Sequence, residues 1–226
     1  MPEALAIIPA RGRSKGIPRK NLQEVGGIPL VQRTIEAAQQ SHYIKRIVVS
    51  TDDPEIENLA KQCEAIVIKR PNDLSTDTAS SESALLHAIS ALSIDGFLEE
   101  IVVFLQCTSP FTTGEDIDKV IKALESKETN SAFAATPWHG FLWNSNGSGV
   151  NHNPLEPRKR RQELETCYLE TGSIYAIRAH EFLRQKTRFC HPIRPIAIGH
   201  HPIEIDTPDD LILSRAIHNS NFTKIV

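Results

Sequence analysis

Leu5-Ala6-Ile7-Ile8 opens the chain as an unbroken apolar run, and the rhythm it starts repeats. Residues 4–9 read as a strand buried on both faces. Over 29–40, Leu30, Val31, Thr34, Ile35 and Ala38 recur at helical spacing. The β-branched stretch RIVVS at 46–50 gives a second strand. Asp53-Pro54-Glu55 then starts a helix, with Asp53 as cap and Pro54 in the first position. Its apolar face is Ile56, Leu59, Ala60 and Cys63. Further alternation follows: a strand at 65–68, a helix at 80–92, a strand at 101–105 (IVVFL), a helix at 116–124 and a strand at 131–136. Strands this continuously apolar, separated by helices, predict an α/β fold with a mostly parallel sheet covered on both faces. Ligands in such folds bind at the carboxyl ends of the strands.

The rhythm breaks between Trp138 and Leu169. Gly140, Gly147, Gly149, Pro154 and Pro157 interrupt it, and Arg158-Lys159-Arg160-Arg161 follows. No amphipathic helix fits, so 138–169 is predicted as an arm protruding from a single domain that spans 1–226. The core pattern returns as a strand at 171–178, a short helix at 179–185, a strand at 193–198 and a helix at 208–218. A two-stranded ribbon is marginal alone, and Phe141, Leu142 and Trp143 find no burial within one. The arm is therefore expected to pack on a second subunit, giving a homodimer with Arg158 to Arg161 near the partner's pocket.

Composition narrows the class. The net charge is −3, so the surface as a whole is no nucleic-acid magnet. The four cysteines lie far apart with no C-x-x-C, which reads as reduced thiols in a cytoplasmic protein rather than zinc ligands or disulfides. The N-terminal apolar run is too short for a secretion signal, and no stretch approaches the ~18 apolar residues of a membrane span.

Against that acidic balance, IIPARGRSKGIPRKN at 7–21 carries five basic residues and no acid. It is neither G-x-x-x-x-G-K-[ST] nor G-x-G-x-x-G. Its physics is still that of a polyphosphate cradle, since glycines let backbone amides approach an anion and Arg and Lys neutralise it. Arg11 and Lys20, with Ser14 and Lys15 between them, are the phosphate candidates, and Asn21 can bridge phosphate or nucleoside groups. Arg13 lies outside or adds a contact. Ser80 and Ser81 open a helix, where serine caps by preference; capping and ligand binding both remain open. Gln106 ends a strand in Q-C-T-S-P, a poor place for a core residue. Arg161 in R-R-Q suits bidentate binding of a carboxylate, or belongs to a solvated basic run. Glu204 and Asp206 alternate with Ile203 and Ile205, so on a strand both carboxylates face one way. Two such oxygen donors suit Mg²⁺, although Asp206 could equally cap the helix at Pro208. Asp209 and Asp210 serve the first-turn dipole. For His200-His201 the hard-ion chemistry argues against a metal role.

The stretch PARGRSKGIPRKN resembles the nucleotide-binding loop of the CMP-sialic acid synthetases, the N-acylneuraminate cytidylyltransferases. VSTDDPEI, RPNDLSTDTASSESALLHAI, LQCTSPF, RRQ, ETGSIY and IEIDTPDDL follow in the family's order, so the resemblance covers nearly the whole chain. It implies a Rossmann-like nucleotidyltransferase that moves CMP from CTP onto the anomeric hydroxyl of a nine-carbon 2-keto sugar acid. It also implies that Ala10, Arg11, Ser14, Lys15, Lys20, Asn21, Arg70, Ser80 and Ser81 hold the nucleotide, with Ser81 on the cytosine. Gln106, Arg161, Gln162, Thr171 and Tyr175 are implied for the sugar acid, and Asp206 with Glu204 for Mg²⁺. Arg11, Lys20 and Asp206 would then carry the chemistry. Four departures stand out: Arg13 where glycine or a small residue is usual, Cys107 where proline is usual, Thr171 where asparagine is usual, and Glu204 where aspartate is frequent. Legionaminate, pseudaminate, Kdn and Kdo remain alternative acceptors, and a nucleotide-binding regulator without turnover is the reading from another class. At 226 residues no added C-terminal domain, as in animal members, is expected.

Overall fold

In the computed structural model, residues 3–92, 99–199 and 202–220 are described. His200 and His201 lie outside the described residues. The strands and helices run in order: β1 (Ala4–Pro9), β2 (Glu24–Val25), β3 (Ile28–Pro29), α1 (Leu30–Gln39), β4 (Ile44–Thr51), α2 (Pro54–Gln62), β5 (Ile66–Lys69), α3 (Ser81–Leu92), β6 (Ile101–Leu105), α4 (Gly114–Lys122), β7 (Ser131–Trp138), β8 (Cys167–Arg178), α5 (Ala179–Gln185), β9 (Ile193–Ala197) and α6 (Pro208–Asn219).

Seven strands form one sheet in the order β5-β4-β1-β6-β8-β7-β9. β5, β4, β1 and β6 are mutually parallel, and β7 runs parallel to β9. β8 is antiparallel to both neighbours, β6 and β7. The physical reason is its connection. β7 reaches β8 through the arm with no crossover helix, and a direct return reverses the strand. The expected mostly parallel sheet thus carries one reversed strand near its middle.

The alternation of side chains along β1 splits the core in two. Ala4, Ala6 and Ile8 pack on one face with Val31 and Ile35 of α1, Ile56 of α2 and Ile117 and Ile121 of α4. Leu5 and Ile7 pack on the other with Leu85 and Ile89 of α3 and Phe182 of α5. Both faces of β1 are fully covered, so the loop that leaves it starts from a fixed base.

Helix boundaries follow caps more closely than apolar periodicity. Asp53 caps α2 as expected, accepting from the amides of Glu55 (2.9 Å) and Ile56 (3.1 Å). α4 starts at Gly114 rather than 116, because Thr113 and Asp116 form a reciprocal capping box. The β2–β3 hairpin was not expected, since two-residue strands leave no periodic signal. Its turn needs positive φ at Gly26 (64°) and Gly27 (76°).

The segment predicted as an arm is ladder at its root. Thr136, Pro137 and Trp138 pair with Leu169, Tyr168 and Cys167. Residues 139–166 then hold only an isolated bridge, Trp143 to Gly149, and a short turn at Arg161–Glu163. No helix among the described residues is long and apolar enough to cross a membrane.

Candidate active site

The loop after β1 is held from several directions. The amide of Ala10 continues the β1–β4 pairing by donating to Ser50 O at 2.9 Å. Asn21 is buried and its side-chain amide donates to Arg11 O (2.9 Å), which ties the two ends of the loop together. The amide of Gly12 donates to Asp52 (2.9 Å). A side chain at Gly12 would meet Asp53 Oδ2 at 2.6 Å, and one at Gly16 would meet Asp206 O at 2.3 Å. Those two glycines therefore serve close packing against protein. Arg19 adopts left-handed geometry (φ 53°), pairs with Glu55 at 2.8 Å and turns the chain into the short helix Lys20–Leu22.

This loop walls a cavity of about 230 Å³ at the carboxyl ends of β1 and β6. Arg11, Ser14, Lys20, Asn21, Arg70, Ser80, Ser81 and Gln106 all line it, so eight residues expected at the site from four separate segments converge. Arg13, Leu74, Thr76, Asp77 and Ala79 complete much of the wall. Ala10 sits buried behind the loop. Lys15 is displaced outward, its ammonium 3.5 Å from Asp77. Of the roles left open by sequence, capping falls to Ser80, whose Oγ accepts from the amide of Ser83 (3.1 Å) at the start of α3, while both Ser80 and Ser81, the first helical residue, line the cavity.

Arg70 is buried and donates to Ser50 Oγ at 3.1 Å and to the Ser50 carbonyl. Burial lowers its pKa, Asp52 opposes that shift, and the nearby charge of Arg11 adds to it. Gln106 donates its amide to the Gly172 carbonyl, which anchors it at the cavity rim. Beneath it, Cys107 is fully enclosed, and burial pushes its thiol up to about 12. It is a packing residue with no accessible thiolate.

The acidic pair needs correction. Residues 202–206 are not a strand; they form an extended strap fixed where the amide of Ile205 donates to Thr108 O (2.8 Å). Without an adjacent ladder the shared-face argument loses its basis, yet both carboxylates reach the same region. Asp206 accepts from Lys20 Nζ at 2.9 Å, and Glu204 accepts from Thr108 Oγ1 at 3.3 Å. The Glu204 carboxyl is held above its ordinary value, first by burial and then by the charge of Asp206. The cap of α6 is Thr207, in a capping box with Asp210, so capping does not account for Asp206.

Two expected substrate contacts are not brought to the cavity. Thr171 is buried, its hydroxyl 2.9 Å from the Ala134 carbonyl and 2.7 Å from Ser173 Oγ. Tyr175 is packed in the core, stacked on Phe104 at 5.4 Å, with its hydroxyl donating to Glu170. Burial raises its pKa, and Glu170 raises it further. Both lie on β8 beyond its exposed start, where inward packing wins. Gln162 is exposed on the arm turn; the side chain of Arg161 lies outside the described atoms. Asp52 and Asp77, by contrast, were not singled out as site residues. Their signal was an acid inside each of two quoted motifs, VSTDD and LSTDTASS, that a basic loop would attract.

Comparisons with known proteins follow the same direction. A family model described as Cytidylyltransferase matches residues 5–204. CMP-N,N'-diacetyllegionaminic acid synthase of Legionella pneumophila is 31% identical over 98% of this chain and 99% of its own. A pseudaminic acid cytidylyltransferase of Campylobacter jejuni is 30% identical over 96% of this chain and 97% of its own. N-acylneuraminate cytidylyltransferase A of Danio rerio is 33% identical over 75% of this chain and 40% of its own. Among solved structures, a CMP:2-keto-3-deoxy-manno-octonic acid synthetase complexed with CTP superposes with a TM-score of 0.74 at 21% identity, covering 97% of this chain and 99% of that one. At that identity the likeness shows a shared fold.

Proposed function

The chain belongs to the cytidylyltransferase family, and from that premise we propose that it transfers CMP from CTP to the anomeric hydroxyl of a nine-carbon 2-keto sugar acid of the N-acylneuraminate type. The observation that carries this reading is the single cavity in which Arg11, Lys20 and Arg70 converge with Ser14, Ser81 and Gln106. A triphosphate needs several cationic donors at once, and a base needs neutral donors and acceptors beside them.

In the proposed reaction the sugar oxygen attacks the α-phosphorus in line, the bond to the bridging oxygen breaks, and pyrophosphate leaves with the negative charge. Arg11 and Lys20 offset that charge as it develops. Ser81 and nearby backbone read the cytosine edge. Gln106 meets the sugar acid, and Arg161 its carboxylate. Thr171 and Tyr175 support this region from inside β8 rather than by direct contact.

The donor set fits a hard divalent cation. Two carboxylates are close enough for one to raise the other, and a cation beside them relieves that repulsion. Asp206 with Glu204 would hold it, the remaining positions falling to water and phosphate oxygens. A bound Mg²⁺ supplies charge withdrawal from the phosphate being attacked. In the same reading the protein works as a homodimer through its arm, where Leu142, Trp143, Val150 and Leu155 are exposed.

Legionaminate or pseudaminate as acceptor is the second reading, favoured by the two relatives that match along nearly their full length. Pyrophosphate release with CTP and Mg²⁺ across N-acetylneuraminate, N,N'-diacetyllegionaminate, pseudaminate, Kdn and Kdo tests both. Release that needs one nine-carbon acid supports the proposal and names the acceptor. Equal release with UTP in place of CTP, or release with Kdo alone, overturns it.

A further inference from the structure

We propose that Asp77 is a built-in stand-in for the nucleotide's phosphates: it holds the cations of the opening loop while the cavity is empty and releases them when a triphosphate enters. This rests on the reading of the cavity as a triphosphate site. Arg11 Nη1 lies 3.0 Å from Asp77 Oδ1, and Lys15 Nζ lies 3.5 Å from Asp77 Oδ2. One carboxylate thus bridges two cations with its two oxygens, as a phosphate would. Arg11 is also drawn to the same segment by donating to Thr76 O at 2.8 Å. Asp77 and Arg11 both line the cavity, so the pairing sits on the wall that an incoming anion would meet.

What separates Asp77 from Asp52 and Asp53 is what it accepts from. Asp52 accepts from the Gly12 amide, and Asp53 from the amides of Glu55 and Ile56. Those carboxylates fix backbone. Asp77 pairs, among the described residues, only with the ends of two long side chains, and its own side chain is 42% exposed. Long side chains swing between partners without refolding anything. Freeing Arg11 and Lys15 exchanges one carboxylate for a polyphosphate with more charge and more acceptor oxygens, so the exchange favours the nucleotide while lowering its net affinity. The same carboxylate can recapture the cations as pyrophosphate departs. Lys20 is paired in parallel with Asp206.

Each exposed pair of this kind is worth up to about fivefold in a binding constant. Removing the charge of Asp77 should therefore tighten anion binding by roughly two- to tenfold. The test is calorimetric titration of CTP with Mg²⁺, and of inorganic pyrophosphate, into wild type, Asp77→Asn, Asp77→Ser and Asp77→Glu at low and high salt. Both uncharged variants are expected to bind both ligands more tightly, and Asp77→Glu to return to wild-type values. The gap should close as salt screens the freed cations. Wild-type or weaker binding of pyrophosphate by both uncharged variants would make Asp77 a scaffold residue and overturn the proposal. Wild type binding neither CTP nor pyrophosphate would instead remove the triphosphate reading of the cavity itself.

Discussion

The loop after β1 and the arm at 139–166 are both irregular, glycine-containing and basic, yet they are built in opposite ways. The loop is held by distant parts of the chain: Asp52 on Gly12, Asp53 packed against Gly12, and Asp206 on Lys20. The arm is held by itself. Asn144 bonds Ser148, Asn153 bonds Glu156, and Asn151 reaches back to Gly140 and Leu142. Its aromatic contacts are internal too, with Phe141 and Trp143 edge-on to His152 and Arg158 over Phe141. A segment fixed by remote contacts can aim charges at a point. A segment fixed only by short-range contacts keeps a shape but not a task, and the arm presents its apolar area outward: Leu155 is 93% exposed and Trp143 56%. The first region is fixed by the rest of the chain; the second leaves apolar area that the described residues do not cover.

The strongest way to break this comparison is to remove a charge from the loop. Lys20→Ala deletes an ammonium whose recorded partner is Asp206, near the surface, so the fold should survive with Tm little changed. If the loop aims charge at the leaving pyrophosphate, kcat should fall by about 10²–10³. Single-turnover and steady-state rates with saturating CTP check this. A variant within about threefold of wild type would mean that the converging cations serve the scaffold.

The arm is tested from the other side. Leu155→Asp changes a side chain that the chain itself does not cover. It should leave thermal unfolding of the isolated subunit and CTP binding untouched, while raising the dimer dissociation constant by about tenfold or more. Sedimentation or light scattering across a concentration series reads it. A variant as dimeric as wild type would place the partner surface elsewhere, and an active wild-type monomer at micromolar concentration would remove the arm from function.

The same contrast explains what could be read from sequence. β1 and β6 were legible to the residue because an apolar run is local information. Arg11 and Gln106 were legible because each follows a strand end, whereas Arg70 and the ligand role of Ser81 entered only through the resemblance to the cytidylyltransferases; the fold puts all four together. The reversal of β8 was not, because strand direction depends on how the arm returns. Nor was the inward turn of Thr171 and Tyr175: position on a strand does not say which neighbour competes for the side chain, and Ala134, Ser173 and Phe104 win here. The strap at 202–206 alternated like a strand but found no adjacent partner. Asp77 was invisible as a counter-ion since its partners are more than sixty residues away.

The smallest expected effect sharpens the picture of the loop region as one assembled for charge at some expense of stability. Glu204 is held above its ordinary value by burial and by Asp206. The sign follows directly. The unfolded chain releases this proton first, near the usual carboxylate value of ~4.3. Across the window from there up to the raised folded value, the native state holds more protons than the unfolded one, so stability falls as pH rises. Above that window the whole penalty is present, including at neutral pH. Glu204→Gln carries no charge at any pH and can still accept from Thr108, whose hydroxyl lies 3.3 Å away. Its Tm should therefore lie slightly above wild type at pH 7, and the difference should vanish as pH drops below the carboxylate range. Turnover should move the other way, with a weaker response to Mg²⁺, because the repulsion that costs stability is what would draw a cation to Asp206. Differential scanning calorimetry from about pH 3 to 8, beside a Mg²⁺ titration of activity, reads both. A variant less stable than wild type at pH 7 would show that the Thr108 bond outweighs the burial of the charge, and Glu204 would then belong with Asp52 and Asp53 among the residues that hold the scaffold in place.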